Sequence, residues 1–335
     1  MEKVKLGVIG TGKIGRMHIN NLVNSLPDVE VVAVADPFVD VSSDFLNEME
    51  IPSNMRFKDY NDLLEIEEIK AVVIASSTDT HAEISIAAAN KNKAIFCEKP
   101  VDSDPEVIRK VQKVVEESGV VFQTGYNRRF DHNFKKVRDE VSSGTIGEPH
   151  IIKITSRDPA PPSMDYVKVS GGLFKDMMIH DFDLIRYLSG SEPIEITAKG
   201  AVLIDPAIGE AGDIDTAVVT ILFENGALGI IDNSRQAVYG YDQRVEVFGS
   251  KGMVKAENDK PTTVEISTED YVTTDKIPYF YLDRYGQAYL DQFHYFIEAV
   301  KGTGPLLVNV IDGLKSVEMA DAAKLSLDKG TTIKL

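Results

Sequence analysis

Asp176, His180 and Asp183 are spaced i, i+4 and i+7 in the run GGLFKDMMIHDFD, so one continuous helix over residues 173–188 would put them on a single face. Histidine titrates near neutral pH and accepts a hydroxyl proton, and a carboxylate one turn away can orient it and raise its basicity. Such a pair suits alcohol oxidation, where hydride leaves to an acceptor and the proton still needs a base. Two other readings compete here. Aspartates and a histidine are good metal ligands, although the familiar helical zinc pattern has two histidines, and charged helix faces are often only solvated.

The second chemical feature is a lysine. Glu98-Lys99-Pro100 follows the strand-like run KAIFC, at the carboxyl edge where open α/β sheets hold ligands. A crowded lysine there can hydrogen-bond a reacting oxygen and take part in proton movement, because a partly buried ammonium shifts its pKa readily. An ordinary ion-paired turn explains the local chemistry equally well. Cys97 reads as a buried strand residue with no base pattern to activate it.

Gly10-Thr11-Gly12-Lys13-Ile14-Gly15 follows a strand pattern and opens a helix pattern, and Asp36 ends the next strand 21 positions after Gly15. The glycines permit a tight turn, close approach of a pyrophosphate and close helix packing, while the helix N-terminus favours phosphate. Asp36 would accept both ribose hydroxyls and repel a 2′-phosphate, which predicts NAD over NADP. Lys13 and Ile14 are expected at the same cofactor. So are Ser76 and Ser77 at the end of a later strand, His81 at the start of the helix after it, and Glu98. A histidine near a helix start is as often merely satisfied by its neighbours.

These residues need elements to hold them. Residues 1–124 alternate short β-branched runs (VKLGVIG, VEVVAVAD, AVVIASS, KAIFCEKP, VVFQTG) with amphipathic stretches, predicting a doubly wound parallel sheet of Rossmann type. From residue 125 to 335 the strand patterns lengthen (EITAKGAV, DTAVVTILF, GALGIID, QRVEVFGS), with an Asn225-Gly226 turn between two of them. That predicts an α+β domain on an open, mostly antiparallel sheet. Late helices, over 285–300 and 310–327, could pack back on either domain.

The bulk numbers agree with a two-domain enzyme. The chain has 335 residues, 43% of them hydrophobic, and a net charge of −17, which disfavours nucleic acid or an anionic membrane surface as partner. A single cysteine predicts a reducing cytoplasm without disulfides or a multi-cysteine metal site. No apolar run approaches the roughly 20 residues of a membrane span, and the N-terminus carries no signal-peptide pattern.

The sequence resembles the glucose-fructose oxidoreductase and inositol dehydrogenase (Gfo/Idh/MocA) family of two-domain NAD(P) enzymes. The resemblance spans nearly the whole chain and rests on GTGKIG, FCEKP, GYNRRFD and the glycine pair before Asp176 and His180. SRDPAPP, DMMIHDFD and YGYDQRVEVFGSKGMV resemble the bacterial inositol 2-dehydrogenase branch. The resemblance implies His180 as base, Asp176 as its orienting partner and Lys99 on the substrate oxygen, and the single histidine at this spacing predicts no metal. It implies that Arg128, Asp183 and Tyr241 bind ring hydroxyls, with Arg157 beside them, although Ser156-Arg157-Asp158 departs from the histidine and asparagine of some members. It also implies a homotetramer built through the open face of the second sheet. The expected reaction is oxidation of myo-inositol to 2-keto-myo-inositol (scyllo-inosose). The alternatives are another inositol isomer or sugar as substrate, or a non-catalytic protein that senses the dinucleotide.

Overall fold

A computed structural model describes residues 3–335. The chain divides into two compact units, Met1–Asn127 with Gln287–Val317, and Arg128–Gly286 with Glu318–Leu335. The switch therefore falls three residues after the expected boundary at 124, and Gln287–Val317 groups with the first unit.

In the first unit, β1 (Val4–Ile9), β2 (Val29–Ala35), β3 (Arg56–Phe57), β4 (Ala71–Ile74), β5 (Ala94–Cys97) and β6 (Phe122–Thr124) form a parallel sheet of order β3-β2-β1-β4-β5-β6. The order reverses between β1 and β4, which makes their carboxyl ends the ligand crevice of a doubly wound sheet. Five helices cross over between the strands: α1 (Lys13–Ser25), α2 (Ser43–Glu48), α3 (Tyr60–Leu64), α4 (Thr78–Asn90) and α5 (Pro105–Ser118). Local sequence sets their ends. The Asp104 side chain accepts from the Glu106 N–H, Pro105 opens α5, and Gly119 closes it at φ +68°. Val4, Leu6 and Val8 on one face of β1 share one core with Ile19 and Leu22 of α1 and with Phe293 and Phe296, and Ile9 on the other face is buried too, as in a strand covered on both sides.

The second unit begins with α6 (His132–Ser142) and β7 (Pro149–Arg157). Three short helices, α7 (Met164–Val167), α8 (Gly172–Asp176) and α9 (Ile179–Ser189), precede β8 (Pro193–Ala201), α10 (Pro206–Glu210), β9 (Thr216–Phe223), β10 (Leu228–Ser234), β11 (Asp242–Gly249) and β12 (Gly252–Ala256). A small hairpin, β13 (Glu265–Ser267) and β14 (Val272–Thr274), comes next, and β15 (Ile333–Lys334) ends the chain. The main sheet has the order β12-β11-β7-β10-β9-β8-β15. Only β7 and β10 run parallel, the other pairs being antiparallel, so the open and mostly antiparallel sheet is present. Asn225 and Gly226 make the β9–β10 turn, with Gly226 at φ +83°. Two long helices, α11 (Tyr281–Lys301) and α12 (Val310–Lys329), are each divided between the units. Among the described residues no helix is long and apolar enough to cross a membrane.

Candidate active site

The glycine turn is built for a phosphate. Gly10 sits at φ +99°, and a Cβ there would lie 2.5 Å from the Ala75 carbonyl, so the turn closes against the end of β4 only without a side chain. A Cβ on Gly15 would meet the Gly10 oxygen at 2.1 Å, whereas one on Gly12 would meet nothing within 4 Å. Gly12 is the N-cap of α1 and no side chain caps it, so the first helical N–H groups are presented at an open position. Lys13 and Ile14 form the first turn of that helix. Asp36 stands beside the turn: its Oδ2 accepts from the Thr11 N–H at 2.7 Å and the Thr11 hydroxyl at 3.1 Å, and its Oδ1 from the Phe38 N–H at 2.8 Å. The carboxylate thus fixes the glycine-rich loop.

Further along the same carboxyl edge, Ser76 and Ser77 follow β4. The Ser76 hydroxyl lies 2.7 Å from the Thr80 hydroxyl, and Ser77 is the N-cap of α4. Glu98, Lys99 and Pro100 follow β5 and are all half-buried, with a cis bond between Lys99 and Pro100. Two expected cofactor contacts are otherwise engaged. His81 is 2% exposed with Nδ1 2.8 Å from the Pro100 carbonyl and Nε2 3.1 Å from the Ser76 carbonyl. Glu98 Oε1 lies 2.6 Å from Nε2 of the wholly buried His18. Both side chains also brace the protein around the Lys99 loop.

In the second unit the expected helix over 173–188 breaks at Met177 and Met178, both buried. Asp176 ends α8 and His180 lies in the first turn of α9, so the two belong to consecutive short helices rather than to one. Gly171 and Gly172 start α8 at φ +84° and +83°, and the Asp213 carboxylate accepts the Leu173 N–H at 3.0 Å. Asp176 is held at both oxygens. The Tyr166 hydroxyl donates to Oδ1 at 2.8 Å and Arg235 Nη1 to Oδ2 at 3.1 Å. The same Arg235 nitrogen lies 3.9 Å from Asp158, whose pKa is pushed up to about 6 by burial and by the neighbouring Asp176, with Arg235 opposing. His180 is half-buried.

The other expected substrate contacts fare differently. Asp183 is 1% exposed and gripped by the guanidinium fork of Arg129, at 2.6 Å from Nη2 and 2.9 Å from Nε. The bidentate pair fixes the Asp183 carboxylate in place. Arg128 is likewise buried: it pairs with Asp181, reaches Ser156 Oγ at 3.3 Å and lies 3.4 Å from the Tyr241 hydroxyl. Asn233 completes the cluster by donating to the second Asp181 oxygen at 3.0 Å. Tyr241 is 7% exposed and Arg128 3%. Arg157 lies on the wrong side of the sheet. Side chains alternate along a strand, and while Ser156 turns toward Arg128, Arg157 turns to the open face, where it pairs with Asp232 at 2.5 Å and Tyr239 at 3.2 Å.

The donor set does not favour a metal at Asp176 and Asp183, because arginines already supply their positive charge. Asp131, His132 and Asp259 lie close enough to share an ion, but Arg284 bonds Asp131 and reaches Asp259 at 3.2 Å, filling the same role.

Comparison with known proteins places this geometry. Residues 4–126 match the family described as "Oxidoreductase family, NAD-binding Rossmann fold", and residues 134–255 match the "GFO/IDH/MocA C-terminal domain". The chain belongs to the Gfo/Idh/MocA family. It is 46% identical over 334 residues to the myo-inositol 2-dehydrogenase of Thermotoga maritima, covering 99% of this chain and 98% of that one. A solved structure of a probable dehydrogenase from Thermotoga maritima superposes with TM-score 0.95 at 45% identity, covering 98% of each chain. Scyllo-inositol dehydrogenase from Lactobacillus casei, solved with NAD(H) and scyllo-inositol, superposes with TM-score 0.92 at 27% identity over 99% of each chain. This Gfo/Idh/MocA chain is thus an oxidoreductase, and NAD is its cofactor.

Sequence reasoning missed Arg235 and Tyr166, the two residues that hold Asp176. Arg235 directly follows β10, and a lone basic residue at the end of a strand of an open sheet was the available signal. Tyr166 sits in the four-residue helix α7 after the proline-rich loop, where no spacing links it to Asp176.

Proposed function

We propose that this NAD-dependent enzyme oxidises one secondary hydroxyl of a cyclic polyol, with myo-inositol, giving 2-keto-myo-inositol (scyllo-inosose), as the favoured substrate. The observation that carries the reading is the locked Asp176 carboxylate beside Arg235, Tyr166 and Asp158: a polar, charge-compensated cluster suited to hydroxyls rather than to an apolar or phosphorylated ligand. Lys99, Asp176 and His180 form the catalytic set. Bound NAD accepts the hydride of the alcohol carbon. His180 takes the hydroxyl proton on a ring nitrogen, Asp176 stabilises the ring once charged, and the Lys99 ammonium donates to the substrate oxygen as it becomes a carbonyl. Asp158 accepts a neighbouring ring hydroxyl, and a site that satisfies several hydroxyls rejects analogues lacking one. The chain acts in the cytoplasm as a homotetramer.

The 46% relative named for myo-inositol supports that isomer, while the scyllo-inositol enzyme of the same fold keeps a second isomer in view. NAD reduction followed by absorbance over myo-, scyllo- and chiro-inositol and common aldoses decides the matter. The highest kcat/KM is expected with myo-inositol, and no turnover with any polyol would leave a dinucleotide-sensing protein as the reading. His180→Ala should lower kcat by about 10²- to 10⁴-fold, the usual worth of a positioned base, without weakening NAD binding.

A further inference from the structure

The Glu98-Lys99-Pro100 loop is gripped on both flanks by histidines that have no place in the chemistry. His18 lies on α1, three residues after Gly15, with its ring edge-on to Phe96 at 5.6 Å and to Phe293 at 4.9 Å. Its Nε2 meets Glu98 Oε1 at 2.6 Å, and the other Glu98 oxygen accepts the Lys99 N–H at 3.3 Å. The carboxylate also rests on Gly125, where a Cβ would come within 3.0 Å of it. His18 Nδ1 is buried without a hydrogen-bond partner, a cost that a leucine or phenylalanine in the same aromatic core would avoid. The bond to Glu98 is what the imidazole adds.

On the other flank, His81 projects from α4 and spans two main-chain carbonyls, Pro100 at 2.8 Å and Ser76 at 3.1 Å. A carbonyl only accepts, so a neutral ring satisfies one of these contacts and the imidazolium both. Either way the ring ties the backbone just after Lys99 to the backbone just after β4.

We propose that His18 and His81 are positioning residues for Lys99, each clamping one side of its loop from a helix that starts at the cofactor edge of the sheet. The inference rests on the catalytic reading of Lys99 given above. A catalytic group displaced by about 1 Å can cost about 100-fold in rate, so the clamps act on turnover.

A double-mutant cycle on the full chain, with NAD and myo-inositol, tests this. His81→Phe is expected to lower kcat by about 10- to 100-fold, with His81→Gln, which keeps one donor, recovering part of the loss. Affinity for reduced cofactor, read from its own emission in a chain that has no tryptophan, should move by less than about threefold. In a Lys99→Met background, adding His81→Phe should cost less than about twofold, since the residue through which it acts is gone. His18→Phe should behave in the same way, and it carries the cycle if His81→Phe does not fold. Additive losses, or a loss confined to cofactor affinity, overturn the clamp alone. A Lys99→Met enzyme with near wild-type turnover overturns the catalytic reading and the clamp with it.

Discussion

At the scale of single residues, two carboxylates at strand ends carry different burdens. Asp36 binds the glycine-rich loop through Thr11 and is proposed to accept the ribose hydroxyls of NAD. Asp36→Ser should raise kcat/KM with NADP relative to NAD by removing repulsion of a 2′-phosphate, and should weaken NAD as the loop loosens; equal or better use of NADP by the unmodified chain would contradict this. Asp158 pulls against the fold instead. Its pKa stands at about 6 in the folded chain, above the ordinary value of 3.8, chiefly because it is desolvated. A raised carboxyl pKa means that the folded state favours the proton. The contribution is fully present below about pH 4 and lost as pH rises through about 6. Asp158→Asn, which stays neutral, should therefore stabilise the protein above pH 7 by about 1–2 kcal/mol and leave it unchanged near pH 3.5. Thermal unfolding of both forms across that range would show the gap opening with pH, and a gap of constant size would place its origin in packing. The burden on Asp158 is not legible in the sequence. Asp158 meets Arg235 only because β7 and β10 run side by side, and Asp183 looks like a free ligand until Arg129, 54 residues away, is seen to hold it.

Elements differ in how local their instructions are. The dinucleotide turn is legible because strand, glycines, helix and acid lie within 36 residues; Gly10 and Gly15 each answer to a contact inside that stretch or just after β4, while Gly12 stands open. The break between α8 and α9 is not. The run from 173 to 188 has a good helical period, yet the regular helix is interrupted at Met177 and Met178, both of which are buried. The glycine pair before it was quoted as a motif, but its conformational reason appears only in the structure. Gly172 is at φ +83°, and a Cβ there would lie 2.9 Å from Asp213 Oδ1, the group that caps Leu173. Gly172→Ala should thus cost about 1–3 kcal/mol through strain and loss of the cap, and should lower kcat by shifting Asp176 off Tyr166 and Arg235. Chemical denaturation together with steady-state kinetics checks both parts. A variant as stable and as active as the parent would mean that α8 tolerates another start.

At the scale of the whole molecule, the second-unit sheet leaves one face without a covering layer. Register aligns Met253 of β12, Phe248 of β11, Ile151 of β7, Leu228 of β10 and Leu222 of β9 in a row across five strands. The first four of these are 48%, 46%, 39% and 51% exposed. Alternation within each strand could be read from the sequence, but this row could not, because it depends on pairing between segments up to 100 residues apart. In the proposed homotetramer this continuous apolar band is the contact surface, and fully burying a side chain of this kind is worth roughly 1.5–3 kcal/mol. A second copy of the chain offers the same band, so a two-fold contact would set row against row, and a tetramer would follow by repeating it with a second axis. Leu228→Lys together with Phe248→Lys puts like charges into that contact and should convert the assembly to smaller species at micromolar concentration in sedimentation velocity. The substitutions point away from the face carrying Asp181 and Arg128, so turnover per chain should survive better than assembly does. An unmodified chain that sediments as a monomer, or a charged pair of variants that still forms tetramers, would require another surface to hold the copies together.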